Sequence, residues 1–447
     1  MELLREKHWI IPTMLPNGIV VDKKVNQKRF YSEYFPTSHK IFDRLYYKDI
    51  EIFDENNKFV AYHEVNRVSV PFQSMSITII LAHLLGNKTY LSDSTLKENV
   101  SLPIYREYWD ERNIDVARYD VIKSVLALGD GAVLFYRDEE TGELEHQVLS
   151  AFNKDEFYME YDKYKKPVRF YKYYDDKCDV YDKNNVVTYQ TDTKDKGFKI
   201  IRKASHGFKG MPVAYKKTTF GAFWSHVQHN IDNIELILSR LSEDNRAKFK
   251  SLYHLSTDNP DDVTTDKSGA MDMVVTDKDG DFKLIPPAEI STQFQFEYDS
   301  LKEIIFDALG IVFPKHKSSG DMPTGSMKMM FYPTERVVMD LINEFDSLVD
   351  DINNIVKQGF VSEHPKSFND IHNGNIKASI RLFTPQDDVT RNENIATLLD
   401  KGVISEETAA EECSIASNNE MDRKNREKEA ALAAEKAAAD LRLPFSE

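Results

Sequence analysis

The sequence has little cysteine. Cys178 and Cys413 are the only two in 447 residues, far apart and outside any CxxC or Cys/His spacing, so neither a disulfide framework nor a zinc site is expected, and a reducing compartment fits. Long apolar runs are also missing. The longest uncharged stretch, Val68 to Asn87, contains Pro71, Gln73, Ser74, Ser76, Thr78 and His83, and only Ile77 to Leu85 is densely apolar. That predicts a buried helix rather than a membrane span. Met1 to Pro12 mixes Glu2, Arg5, Glu6 and Lys7 with a few apolar residues and has no basic-then-apolar leader, which argues against secretion. Positive charge is in deficit: 58 basic against 74 acidic residues leave a net charge of −16. A protein that gains affinity by neutralising phosphates over a broad surface is thereby disfavoured.

Catalytic and ligand motifs are missing too. Gly320 and Gly325 have the spacing of a Walker A loop, but Ser326-Met327 stands where a lysine and a hydroxyl must hold phosphate and magnesium. Gly129-Asp130-Gly131 begins like a dinucleotide fingerprint, yet Leu134 replaces the third glycine and the segment runs into a strand. Asp277-Lys278-Asp279-Gly280-Asp281 has its glycine too early for a calcium loop and reads as a turn. His226 and His229 lie three apart on a helix without a third ligand and read as structural or exposed. With no Gly-x-Ser-x-Gly elbow and no His-Glu-x-x-His, the reading is of a protein that is not an enzyme and uses no cofactor or metal.

What is present is an ordered series of α and β segments, about three modules' worth of chain. A hairpin is expected from Ile50-Glu51-Ile52-Phe53 and Phe59-Val60-Ala61-Tyr62 across Asp54-Glu55-Asn56-Asn57. A helix from Pro103 to Leu128 ends at Gly129 and leads into a strand over Gly131 to Tyr136. Phe157 to Tyr189 alternates aromatics and valines with charges around Lys183-Asn184-Asn185, as half-exposed antiparallel strands do. Phe223 to Lys250 is helical, with Val227, Ile231, Ile234, Leu238 and Leu241 spaced by four, three, four and three. Such a seam is either a core-facing stripe or a subunit contact. The polar stretch Thr257 to Ser268 precedes a second hairpin, Met271 to Val275 with Phe282 to Ile285 across Asp279-Gly280. A helix from Gln293 to Leu309 follows, then an exposed loop, Pro314 to Gly325, carrying Lys315, His316 and Lys317. A long amphipathic helix from Thr334 to Gln358, a strand from Ile376 to Phe383, a helix start at Ser405 and a charged helix from Met421 to Leu441 complete the chain.

Several segments, in this order, resemble the portal family of tailed phages, specifically the branch typified by long-tailed phages of Gram-positive bacteria. Gly129-Asp130-Gly131-Ala132 running from a helix into a strand is similar to that family's xGxAY-like segment. His206-Gly207-Phe208-Lys209-Gly210-Met211-Pro212-Val213 is similar to its His-x-Phe-Gly-x-Ile-Pro-Val segment. Thr324-Gly325-Ser326-Met327-Lys328-Met329 looks like a divergent Ser-Gly-x-Ala-Leu-Lys signature. Pro385-Gln386-Asp387 and Gly402-Val403-Ile404-Ser405-Glu406-Glu407-Thr408-Ala409 resemble the ending, an lxGxISxETA-like turn before a charged tail.

The resemblance implies an α+β portal-like subunit: an N-terminal wing (1–222), a first stem helix (223–250), a small α/β clip (251–292), a second stem helix (293–313), a tunnel-loop region (314–333), the wing's long helix and strand (334–400) and a helical crown (401–447). It implies a ring, usually of twelve copies, at one capsid vertex of the virion, assembled in the host cytoplasm and passing double-stranded DNA without sequence specificity during packaging and ejection. The partners it implies are the terminase packaging ATPase, a head–tail adaptor, and the major capsid and scaffold proteins, with no membrane. Lys315, His316, Lys317 and Lys328 would face DNA, and Val227, Ile231, Ile234, Leu238 and Leu241 would form the stem's packing seam. The alternative is another virion structural protein, such as a connector or adaptor.

Overall fold

A computed structural model describes most of residues 27–406, together with a few residues up to 428. The gaps are 54–56, 94–100, 193–196, 220, 249–250, 258–270, 278–281, 286–290, 313–323, 365–375 and 384–387. The chain divides into two compact units. One holds 1–313 and 333–383, the other 314–332 and 384–447.

The first unit is built around α4 (Ile114–Leu128), which lies against α1 (Gln27–Tyr34), α2 (Phe72–Leu85) and α3 (Ser101–Glu111). Within α2, Ile77, Ile80, Leu81 and Leu84 are buried, so the densely apolar stretch is a core helix. Among the described residues, no helix is long and apolar enough to cross a membrane. The helix expected from Pro103 to Leu128 is two helices. Asn113 breaks it in the left-handed region at φ 52°, a conformation whose short polar side chain asparagine tolerates. The expected stop at Gly129 is found: φ is +91° and its N–H donates to the Val125 carbonyl, an αL cap.

From that cap the chain enters β4 (Asp130–Arg137), the middle of a sheet ordered β11-β4-β5, with β5 spanning Leu144–Leu149 and β11 Val213–Lys217. The alternating aromatic segment forms an antiparallel meander, β6 (Glu156–Tyr161), β7 (Pro167–Tyr174), β8 (Lys177–Tyr181), β9 (Asn185–Asp192) and β10 (Gly197–Ser205), paired in sequence order. Asp182 sets the turn at Lys183–Asn185 by accepting from the Asn184 and Asn185 N–H groups, both at 2.7 Å, an Asx turn. The first hairpin is β1 (Ile50–Phe53) with β2 (Phe59–His63). Its expected turn lies largely outside the described residues.

Three further expectations are corrected. The strands of the second hairpin do not pair with each other. β12 (Ser251–Thr257) lies between β13 (Met271–Asp277) and β14 (Phe282–Ile285), parallel to the first and antiparallel to the second. Local alternation marks strands but not partners, and the turn that suggested pairing, with the Thr257 to Ser268 stretch, is outside the described residues apart from Thr257. The long helix, α7, runs Thr324–Glu363 and carries Pro333 inside it, so it begins ten residues before the expected start. A proline in a helix interior costs about 3 kcal/mol, and the C-terminal side of α7 is anchored well enough to offset it. Val338, Leu341, Phe345, Leu348 and Val349 are buried. Buried Asn353 receives the Tyr105 hydroxyl at 2.8 Å and donates to the Ile376 carbonyl at 3.0 Å. Glu363 accepts from Tyr108 Oη, the Leu144 N–H and Arg112. The strand expected to Phe383 is shorter, β15 (Ile376–Ser379), paired with β3 (Tyr90–Asp93).

In the second unit, α8 (Asp388–Asp400) ends at Gly402, φ +66°, with the Gly402 and Val403 N–H groups returning to Leu399 and Leu398 carbonyls, a Schellman closure. A new helical turn starts where expected: the Ala409 N–H donates to the Ser405 carbonyl at 2.9 Å. Most of Met421 to Leu441 lies outside the described residues.

Candidate functional site

The second half of the first unit holds two helices flanking the β12–β14 insertion: α5 (Gln228–Lys248) before it and α6 (Ser291–Leu309) after it. The expected helix from Phe223 starts five residues late, because 223–227 forms turns in which Phe223 N–H donates to the Leu126 carbonyl at 2.8 Å. The apolar seam lies on one face. Ile231 and Ile234 on α5, with Val227 just before it, are buried in the main core, Leu238 packs against that core, and Leu241 is half-buried.

Beside the seam runs a polar row that the sequence reading missed. Glu235, Ser239 and Glu243 recur every fourth residue and accept the Val70, Val68 and Asn66 N–H groups at 2.9, 2.8 and 3.1 Å. The match is geometric. Two residues of extended chain advance about 6.6 Å and four residues of helix about 6 Å. A strap of chain running antiparallel to α5 therefore offers one donor per helical step. Its alternate residues face away: the Val65 N–H and the Arg67 guanidinium both reach Asp49 Oδ1, at 3.3 and 2.7 Å. Two histidines complete the row. His39 Nδ1 donates to Glu235 at 2.5 Å within the core, and His63 Nε2 donates to Glu243 at 2.7 Å. The legible signal was a run of hydrogen-bond acceptors at i, i+4 and i+8 next to an apolar stripe.

Burial pushes the Glu243 carboxyl up, but the hydrogen bonds from His63 and the Asn66 N–H, with Arg246 nearby, outweigh it and hold the group below its ordinary value. A carboxyl depressed in the folded state contributes stability that is complete above its unfolded value, about 4, and is lost as pH falls through the lower folded value. The unfolding free energy of Glu243→Gln from urea titration should therefore lie about 1 kcal/mol below the parent's at pH 6 and converge on it near pH 3. A gap that persists at low pH would show that the charge is not what matters.

On α6, Ile305, Phe306 and Leu309 are buried, and Phe306 meets Phe72 edge-on at 5.3 Å. The helix closes on Gly310, φ +63°, with Gly310 and Ile311 N–H groups donating to the Asp307 and Phe306 carbonyls. A Cβ at Gly310 would stand 2.5 Å from Val337 Cγ2, so only glycine lets α7 pass this close. Farther toward its start α6 is uncovered at Phe296. Lys315, His316 and Lys317 lie outside the described residues, and Lys328 is placed only as part of α7. His226 and His229 are exposed, the first 3.4 Å from the Ala308 carbonyl. No group of three or more potential metal ligands occurs among the described residues.

The sequence profile of the family described as phage portal protein, SPP1 Gp6-like, matches residues 31–434. No curated protein matches the chain. Among solved structures, the chain is similar to one described as the neck of a native GTA particle computed with C12 symmetry. The TM-score is 0.39 and the identity 14%, over 77% of this chain and 90% of that one.

Proposed function

The chain belongs to the SPP1 Gp6-like family of phage portal proteins, and from that premise we propose that its copies close into a ring whose axial channel admits double-stranded DNA during packaging and releases it at ejection. The observation that carries this reading is the family match across residues 31–434. The order of helix, inserted sheet, helix and long helix supports it. In this reading α5 and α6 are the stem and the β12–β14 sheet is the clip, which docks the packaging ATPase and later a head–tail adaptor. Residues 314–333 are the tunnel-loop region, which runs into the start of α7, residues 1–222 and 334–400 the wing, and residues 401–447 the crown. The ring sits at one capsid vertex of the virion, among capsid and scaffold proteins, after assembly in the host cytoplasm, and performs no catalysis of its own.

The net charge of −16 suits a channel wall, because the wall must not hold a moving polyanion. In this reading Lys315, Lys317 and Lys328 bring point charges to the phosphates, with the polar ring of His316 beside them, and such contacts position DNA without reading its sequence. Native mass spectrometry with negative-stain class averages tests the ring. About a dozen copies around a central hole is the expected result, and a monomer or dimer under all salt conditions would overturn it. Exchanging both Lys315 and Lys317 for alanine should leave that ring intact while altering packaging or retention of DNA. Unchanged packaging would remove the loop's assigned role.

A further inference from the structure

The β1–β2 hairpin is apolar on both faces, and among the described residues neither face is covered. Ile50, Ile52, Phe53, Phe59, Val60 and Tyr62 are between 44 and 62% exposed. Residues opposite one another in an antiparallel pair share a face. Ile50 and Ile52 therefore lie with Ala61 and His63 on one side, and Phe53, Phe59 and Tyr62 with Glu51 on the other. The aromatic rings meet each other, with centroids 6.3 Å apart for Phe53 and Phe59 and 4.8 Å for Phe59 and Tyr62. The base is fixed to α5 through His63 and Glu243. A two-stranded ribbon in water is marginally stable on its own, so an apolar ribbon of this kind calls for a cover.

We propose that the cover is a second copy of this chain, the hairpin of each subunit seating on its neighbour in the ring. The inference rests on the ring reading above. Area supports it. About half the surface of six large side chains is on the order of 500 Å², the size of the largest apolar patch on an ordinary monomer. With the surface that covers it, this reaches about 1,000 Å², the threshold of a specific interface. Charge supports it as well. The two strands hold no lysine or arginine and one carboxylate, Glu51, which fits neither DNA nor a strongly charged partner. Copies that each carry −16 repel one another, so their contact falls on surface nearly free of charge. A cyclic ring needs two different faces per subunit, and a second exposed apolar pair, Val116 and Tyr119, stands one helical turn apart on α4.

A benzophenone amino acid in place of Val60 tests this in the purified full-length protein. After irradiation, a denaturing gel should show a ladder beginning at twice the 51.7 kDa chain mass. Monomer bands alone, from particles whose native mass is that of a ring, would overturn the hairpin contact and leave the ring standing; they would point instead to a cover within the same chain. A protein that stays monomeric at every concentration would overturn the ring reading and this inference together. The double substitution Phe59→Ser, Tyr62→Ser, with unchanged circular dichroism, should raise the concentration for half-assembly at least tenfold. An unchanged concentration overturns the contact.

Discussion

Replacing Glu235 with alanine should destabilise the first unit by about 2–6 kcal/mol, because two buried donors lose their acceptor. Glu235 and His39 are both fully buried and joined at 2.5 Å, and the same Glu235 oxygen takes the Val70 N–H at 2.9 Å. Alanine leaves both donors without an acceptor in a place water does not reach, and each such group costs about 1–3 kcal/mol. Glutamine keeps an acceptor at that point, so Glu235→Gln should lose less than half as much. The unfolding midpoint followed by tryptophan fluorescence separates the two, since Trp109 and Trp224 are both buried in the core. Amide exchange should quicken at Val70, Val68 and Asn66 together, because the strap is held in one register. Equal losses for alanine and glutamine would mean that Glu235 acts by filling space.

The second large effect is expected at Gly221, where the chain turns from β11 toward α5. Its φ is +88°, and an added Cβ would stand 2.5 Å from Phe30 Cζ, a ring buried in the core. The turn is held from both sides. The Thr218 hydroxyl donates to the Gly221 carbonyl at 2.6 Å, and Gly129 lies so close that its own Cβ would come within 3.4 Å of Gly221 Cα. Left-handed strain costs about 1–2 kcal/mol and overpacking about 1–3 kcal/mol more, so Gly221→Ala should lose roughly 2–5 kcal/mol. Gly142→Ala isolates the strain, since Gly142 has φ +74° and nothing within 4 Å of the added Cβ. Its loss should stay near 1 kcal/mol. If both variants lose the same amount, the Phe30 contact yields freely and the packing argument fails.

Portal family membership was legible in short signatures and their order. Part of the candidate site was legible too. The seam from Val227 to Leu241 was legible as an apolar stripe, but periodicity says that a face is apolar and not what covers it. In the subunit, the chain's own core covers Val227, Ile231 and Ile234. The acceptor row at Glu235, Ser239 and Glu243 was missed because its donors are main-chain groups about 170 residues earlier, and no side-chain pattern announces a backbone N–H. The tunnel-loop lysines remain an assignment from the family resemblance.

The sequence by itself determined whatever depends on neighbours a few residues apart. The densely apolar run of α2, the glycine stop at residue 129, the turn at Lys183-Asn184-Asn185, the strands of the aromatic meander and the helix start at Ser405 all follow from local spacing and from what individual residues allow. Only the tertiary structure decided the rest. It broke the helix at Asn113, carried α7 through Pro333 and set β12 between β13 and β14. It also laid Val65–Val70 along α5 and left the β1–β2 hairpin uncovered among the described residues. Each of these depends on which distant surface a segment meets. Burial and hydrogen bonding across the fold are worth several kcal/mol, and local propensities about 1 kcal/mol or less per residue, so the distant contacts prevail wherever the two disagree.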